Sequence, residues 1–133
     1  MKILITGGNG YIAKSIRNSL WEKYHIISPN RAELDLTDTK SVDEFFEGKH
    51  FDVVIHTATT GGSRLEEDNE TVSFYNLIMF YNLIRKKTQF NKLISFGSGA
   101  EYYKEYSPYG FSKKIINKLI HKYDNFYNLR IYG

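Results

Sequence analysis

Not one cysteine occurs among the 133 residues, so the chain can form neither disulfides nor thiolate metal sites, and a cytoplasmic setting is expected. No apolar run approaches the roughly 20 residues that a spanning helix needs, so no membrane association is expected. The N-terminus lacks the basic, apolar and small-residue succession of a signal peptide. Repeats, low-complexity tracts and linkers are missing too, which leaves one expected domain, residues 1–133. Charge of one sign is scarce: 18 basic residues stand against 15 acidic ones, mostly interspersed, for a net charge of +3. Lys113-Lys114, Lys118 and Lys122 form the one basic concentration, readable as a solvated helix face or as a nucleic-acid patch. The solvated face is the simpler reading, and no nucleic-acid partner is expected. His25, His50, His56 and His121 are too scattered for a metal site.

The chain is rich in aromatic residues, with 11 tyrosines and 9 phenylalanines, and long enough to bury a core. Short β-branched runs alternate with longer stretches of helical periodicity, the pattern of a parallel sheet with crossover helices. Six strands are predicted, over 2–6, 25–28, 33–36, 51–56, 92–96 and 128–132. Helices are predicted over 10–23, from the Thr37-Asp38-Thr39 cap to Glu47, over 68–87 and over 108–123, the last opened by Pro108. The expected fold class is therefore α/β: a doubly wound parallel sheet of about six strands with helices on both faces.

The run Ile3-Leu4-Ile5 leads straight into Thr6-Gly7-Gly8-Asn9-Gly10-Tyr11-Ile12-Ala13. A strand that ends in glycines and turns at once into a helix aims backbone N–H groups and the positive helix end at one point, which suits a pyrophosphate. Gly7 allows the tight path, Gly10 the approach of phosphates, and Ala13 the close lie of helix on sheet. The plainer alternative is a purely structural turn. After the second strand, Ser28-Pro29-Asn30-Arg31 offers no carboxylate to a ribose. Arg31 could pair with a 2′-phosphate and Asn30 could add a hydrogen bond, so NADP is favoured over NAD. The alternative is an exposed loop arginine.

Tyr109 and Lys113 stand four apart on one predicted helix, hence on one face a turn apart. A neighbouring ammonium favours phenolate, so a lowered Tyr109 pKa and an acid–base role are expected. Lys113 could also hold a nicotinamide ribose. His56, inside an apolar strand, reads as structural rather than as a base, and Glu66-Glu67-Asp68 as an acidic start to a helix.

Together these motifs resemble the extended branch of the short-chain dehydrogenase/reductase superfamily, the NAD-dependent epimerase/dehydratase family, over almost the whole chain. Within it, Asn30 to Asp38 and Gly61-Gly62 are most similar to the GDP-fucose synthase and dTDP-4-dehydrorhamnose reductase branches. The resemblance implies a Rossmann-type fold, with the glycine turn contributing Gly7, Asn9, Gly10, Tyr11 and Ile12 to the cofactor. It implies that Asp35-Leu36 meets the adenine and that Thr57 and Ala58 pass beneath the central ribose. Ser98 would complete a Ser-Tyr-Lys triad with Tyr109 and Lys113, Asn76 would support the site, and hydride would move between NADP and a nucleotide sugar. Such relatives pair as homodimers through a four-helix bundle, for which the apolar stretches 74–84 and 111–120 are candidates.

Two departures qualify the expectation. The residues that build a substrate lobe in such relatives would follow the last strand, and the lobe is expected to be absent. The interval from Ser98 to Tyr109, 109 minus 98 or 11 residues, is shorter than usual in that branch. Two readings stay open: an NADP-dependent reductase or epimerase acting on a nucleotide sugar, and a catalytically inactive dinucleotide-binding remnant.

Overall fold

Apolar runs without polar alternation fit strands buried on both faces, and here they assemble side by side. In the computed structural model, which describes residues 1–62 and 68–131, Phe51–His56 (β3) lies between Lys2–Thr6 (β1) and Phe90–Ser98 (β4). His25–Ile27 (β2) and Phe126–Ile131 (β5) are the edges, giving the order β2-β1-β3-β4-β5 with every pair parallel. Register is set by burial: Leu4 pairs with Val54 and Val54 with Leu93, three side chains without solvent exposure.

One face of the sheet carries Thr39–Phe46 (α2), Glu70–Ile84 (α3) and Pro108–Ile120 (α5). Val42 and Phe46, Phe80 and Leu83, and Ile116 and Ile120 merge there into the main core with Leu4, Val54, Leu93 and Phe126. The other face receives Tyr11–Leu20 (α1), whose Ala13 and Ile16 pack on Ile3, Ile5 and Ile55. Tyr127, Leu129 and Ile131 of β5 remain about half exposed. Helix starts follow their capping residues: Asp38 accepts from the Lys40 N–H, Asn69 from Thr71, and Ser107 from Gly110 behind Pro108.

The sheet has five strands rather than six, because residues 33–36 do not join it. Leu34 and Leu36 are both buried, which imitates strand alternation. The backbone is instead wound into successive turns: Leu34 N–H donates to the Asn30 carbonyl, Glu33 N–H to Asn30 Oδ1, and Thr37 N–H to Asp35 Oδ1. Local side-chain acceptors satisfy the amides that a ladder would have used. A short helix, Ala100–Tyr103 (α4), occupies part of what reads from the sequence as a loop after β4. The expected features at Glu66-Glu67 and at Tyr132 lie outside the described residues. Among the described residues no helix is long and apolar enough to cross a membrane, and no cluster of His, Asp and Glu could hold a metal ion.

Strand order reverses between β1 and β3, with α1 on one face and α2 on the other. At such a switch point an open α/β sheet leaves a crevice outside the carboxyl ends of its strands.

Candidate functional site

A cleft of about 680 Å³ opens at that point. It is lined by Gly7, Asn9, Gly10, Tyr11, Ile12, Arg31, Asp35, Leu36, Thr57 and Ala58, all singled out from the sequence. Gly7 adopts φ +70°, and a Cβ there would meet Ala58 Cα at 3.0 Å, so β1 and the segment after β3 run too close for a side chain. The hydroxyl of Thr6 knits the two strands. Its Oγ1 accepts from the Thr57 and Ala58 N–H groups at 3.1 and 3.2 Å and is hydrogen-bonded with His56 Nδ1 at 2.9 Å. Thr57 Oγ1 in turn donates to the Thr6 carbonyl at 2.6 Å. α1 begins at Gly10 with no side-chain cap, which leaves its first-turn amides facing the cleft. Burial, and next the charge of Lys113, push His56 down to about 3, so its ring is neutral at physiological pH and structural.

The turn that replaces the third strand alters the expected ribose end. Arg31 does have an acidic partner: its Nε lies 3.7 Å from Asp35 Oδ2. Burial alone would raise the Asp35 carboxyl, but hydrogen bonds from Thr37 and the Arg31 charge together hold it below its usual value. The side chain of Asn30 caps the turn at Glu33 and does not line the cleft. Tyr75 and Met79, one turn apart on α3, do line it, and so do Thr59 and Thr60. Nothing in the local sequence marks Tyr75 and Met79, because α3 reaches the cleft only by packing back across β3.

Tyr109 sits in the first turn of α5 with Lys113 a turn later. Lys113, 8% exposed, donates to the Phe96 carbonyl at 3.0 Å, with its Nζ 5.6 Å from the Tyr109 ring centroid. Ser98, at the end of β4, accepts from the Ala100 N–H, and its hydroxyl lies close enough to the Tyr109 phenol to lower that phenol's pKa. Tyr109 thus neighbours both Lys113 and Ser98, while none of the three is among the residues that line the cleft. The phenol differs from expectation: burial raises its pKa, the Ser98 hydrogen bond lowers it in part, and the charges of Asp68 and Glu101 raise it further. The nearby ammonium is spent on a carbonyl rather than on the phenol. Tyr109 is therefore a proton-holding group at neutral pH, suited to donating.

The loop after β3 closes over this ring. Gly62 has φ +76°, and a Cβ there would come within 2.9 Å of Tyr109 Cε2 and Cζ, so only glycine lets the loop lie on the tyrosine. Asp68 accepts from the Gly62 N–H at 3.1 Å. Asn76, 2% exposed, fixes the same loop: its Oδ1 accepts from Thr60 N–H at 2.9 Å, and its Nδ2 donates to the Thr60 carbonyl and to Ser112 Oγ. Loop, α3 and α5 are thereby joined around Tyr109 and Lys113.

Known proteins resemble this chain in sequence and in fold. Residues 3–133 match the NAD dependent epimerase/dehydratase family. GDP-L-colitose synthase of Yersinia pseudotuberculosis is 33% identical over 110 residues, 79% of this chain and 36% of that protein. GDP-L-fucose synthase of Azorhizobium caulinodans is 28% identical over 109 residues, 76% of this chain and 34% of that protein. The structure of GDP-mannoheptose C4 reductase from Campylobacter jejuni with NADP bound shares the fold, with a TM-score of 0.88 at 23% identity over 99% of this chain and 51% of that one. The chain thus spans about a third of the length of these curated relatives, 36% and 34%. With the family match running from the first strand to the last residue, the chain belongs to the NAD dependent epimerase/dehydratase family.

Proposed function

We propose that this chain binds NADPH in the cleft and reduces a carbonyl carbon of a nucleotide sugar with Ser98, Tyr109 and Lys113, or runs the reverse oxidation. The observation that carries the reading is the grouping of a phenol that keeps its proton, a serine beside it and a buried lysine one helical turn away, under the loop whose Thr59 and Thr60 line the cleft. The residues fit the cofactor: the uncapped start of α1 suits a pyrophosphate, and Arg31 is free to swing, its side chain 80% exposed. When bound, NADPH supplies the hydride. Tyr109 gives its proton to the carbonyl oxygen, Ser98 donates a hydrogen bond to that oxygen as charge develops, and Lys113 holds the nicotinamide ribose. The nucleotide sugar follows from the activities of the colitose and fucose synthases above.

NADPH absorbance followed with a panel of 4-keto GDP- and dTDP-sugars tests the reading. Oxidation that depends on the sugar supports it, and cofactor binding with no turnover would leave a dinucleotide-binding module instead. Arg31→Ala isolates the ribose end. Exchanging the ion pair with Asp35 for one with a 2′-phosphate gives a charge-assisted contact, so the variant is expected to lose about 10-fold in NADPH affinity and little for NADH. Equal losses for both cofactors would place Arg31 outside the phosphate site.

A second copy completes the proposal. Phe74, Tyr81 and Phe111 are 67%, 61% and 47% exposed, on the paired helices α3 and α5. We read these helices as a homodimer face. Sedimentation equilibrium should report a dimer at micromolar concentration, and a monomer throughout would refute this.

A further inference from the structure

Arg31, Leu34, Asp35, Leu36 and Thr37 all line the cleft, and all belong to the turn that stands where a third strand is expected. Local hydrogen bonds tie this turn to itself and to α2, where the Asp35 N–H donates to Ser41 Oγ at 3.0 Å. The Leu36 carbonyl is bonded elsewhere. It accepts from Asn82 Nδ2 at 2.7 Å, on α3, the helix that contributes Tyr75 and Met79 to the same cleft. Asn82 is 2% exposed, about one helical turn beyond Met79, and does not itself line the cleft. Its amide is fixed at both ends. A guanidinium can only donate and a carbonyl only accept, so Arg85 Nη1, 3.1 Å from Asn82 Oδ1, and the Leu36 carbonyl leave it one orientation. Arg85 is held in turn by α2, its Nη2 donating to Asp43 Oδ1 at 2.8 Å.

We propose that Asn82 is a positioning residue for the adenosine half of NADPH, acting through the Leu36 carbonyl to set the gap between the 34–37 turn and α3. The proposal rests on the reading of the cleft as the cofactor site, in which Arg31 of the same turn meets the 2′-phosphate. A strand at this place would be held by a ladder of backbone bonds, and a turn has none. The bond to Asn82, with the packing of Leu34 and Leu36 in the core, sets how far the turn stands from the helix instead. Buried asparagines that satisfy a carbonyl are often purely structural, because an orphaned buried acceptor is costly. This one differs in its partner. Leu36 is 3% exposed, packed in the core and yet part of the cleft wall, so a displaced Leu36 carbonyl displaces the wall. Asn76 holds the Thr60 backbone from the same helix, so α3 secures the cleft at two places.

Calorimetric titration of the full chain with 2′,5′-ADP, which carries the adenosine half and no nicotinamide, tests the proposal. Asn82→Leu nearly keeps the volume and removes the donor. It is expected to weaken 2′,5′-ADP and NADPH alike by about 10-fold, the worth of one hydrogen bond, and to change kcat at saturating NADPH by less than about twofold. If Asn82 only fastens α3, Asn82→Leu lowers thermal stability and leaves the 2′,5′-ADP affinity in place, which overturns the proposal. A fall in kcat at saturation as large as the fall in affinity would mark a general loosening of the fold and overturn it as well. Should Asn82→Leu not fold, Arg85→Met decides. Lys86 keeps its own 2.8 Å contact with Asp43, so the end of α3 stays tied to α2 while the Asn82 amide loses the partner on its oxygen. A loss of about threefold in 2′,5′-ADP affinity is then expected, and an unchanged affinity overturns the proposal. A wild-type chain that binds neither 2′,5′-ADP nor NADPH would instead overturn the cofactor reading, and this proposal with it.

Discussion

Tyr109→Phe is expected to lower kcat for sugar-dependent NADPH oxidation by about 10²–10⁴-fold, the range of a lost general acid, while NADPH still binds. Phenylalanine keeps the ring that Gly62 lies on and that the Lys113 ammonium faces at 5.6 Å, so the loop and the helix should hold their places. Only the hydroxyl disappears. In the proposed reaction the substrate oxygen would then have Ser98 as a hydrogen-bond donor but no group to protonate it. The raised pKa of the phenol makes the direction of reaction matter. A tyrosine that holds its proton through neutral pH is ready to reduce a ketone, whereas oxidation of an alcohol first needs the phenolate and should gain rate toward alkaline pH. A variant that keeps more than about a tenth of the wild-type kcat, with unchanged cofactor affinity, would remove Tyr109 from the chemistry.

What could be read from the residues alone was whatever depends on short range. The glycine turn is legible because strand, turn and helix are consecutive, and the Tyr109–Lys113 pair because four residues make one helical turn. Arg31 and Asp35 show how a misread element hides a contact. With 33–36 read as an extended strand, Asp35 runs away from the loop that holds Arg31 and has no reason to meet it. In the turn they are 3.7 Å apart, and the supposedly unopposed arginine is half of an ion pair. The tyrosine's proton affinity escapes the sequence for a related reason. Lys113 is visible as a neighbour in sequence, but burial, and the approach of Asp68 and Glu101 from before α3 and from α4, exist only once the helices pack. Glu101 itself looks like one more charged loop residue until α4 forms and Gly97 makes room for it.

The same dependence on packing links stability to the cleft through Phe80. This side chain has no solvent exposure and sits under the sheet, its ring centroid 6.3 Å from Phe126 in an edge contact and 6.1 Å from His56. Phe80→Ala removes a ring from a close-packed site that cannot collapse around the gap, and a loss of about 3–5 kcal/mol is expected in urea denaturation at unchanged slope. Phe46→Ala, at the end of α2 among Phe45 and Phe51, should cost a similar amount by the same mechanism. The two differ in what they support. His56 rests on Phe80 and bonds the Thr6 hydroxyl, which in turn fixes the Thr57 and Ala58 amides at the floor of the cleft. At a urea-free temperature where both variants remain folded, Phe80→Ala should therefore weaken NADPH binding severalfold while Phe46→Ala leaves it near the wild-type value. Equal cofactor affinities in the two folded variants would mean that the Thr6–His56 connection holds the cleft without help from the core, and that cofactor binding is decided by the glycine turn alone.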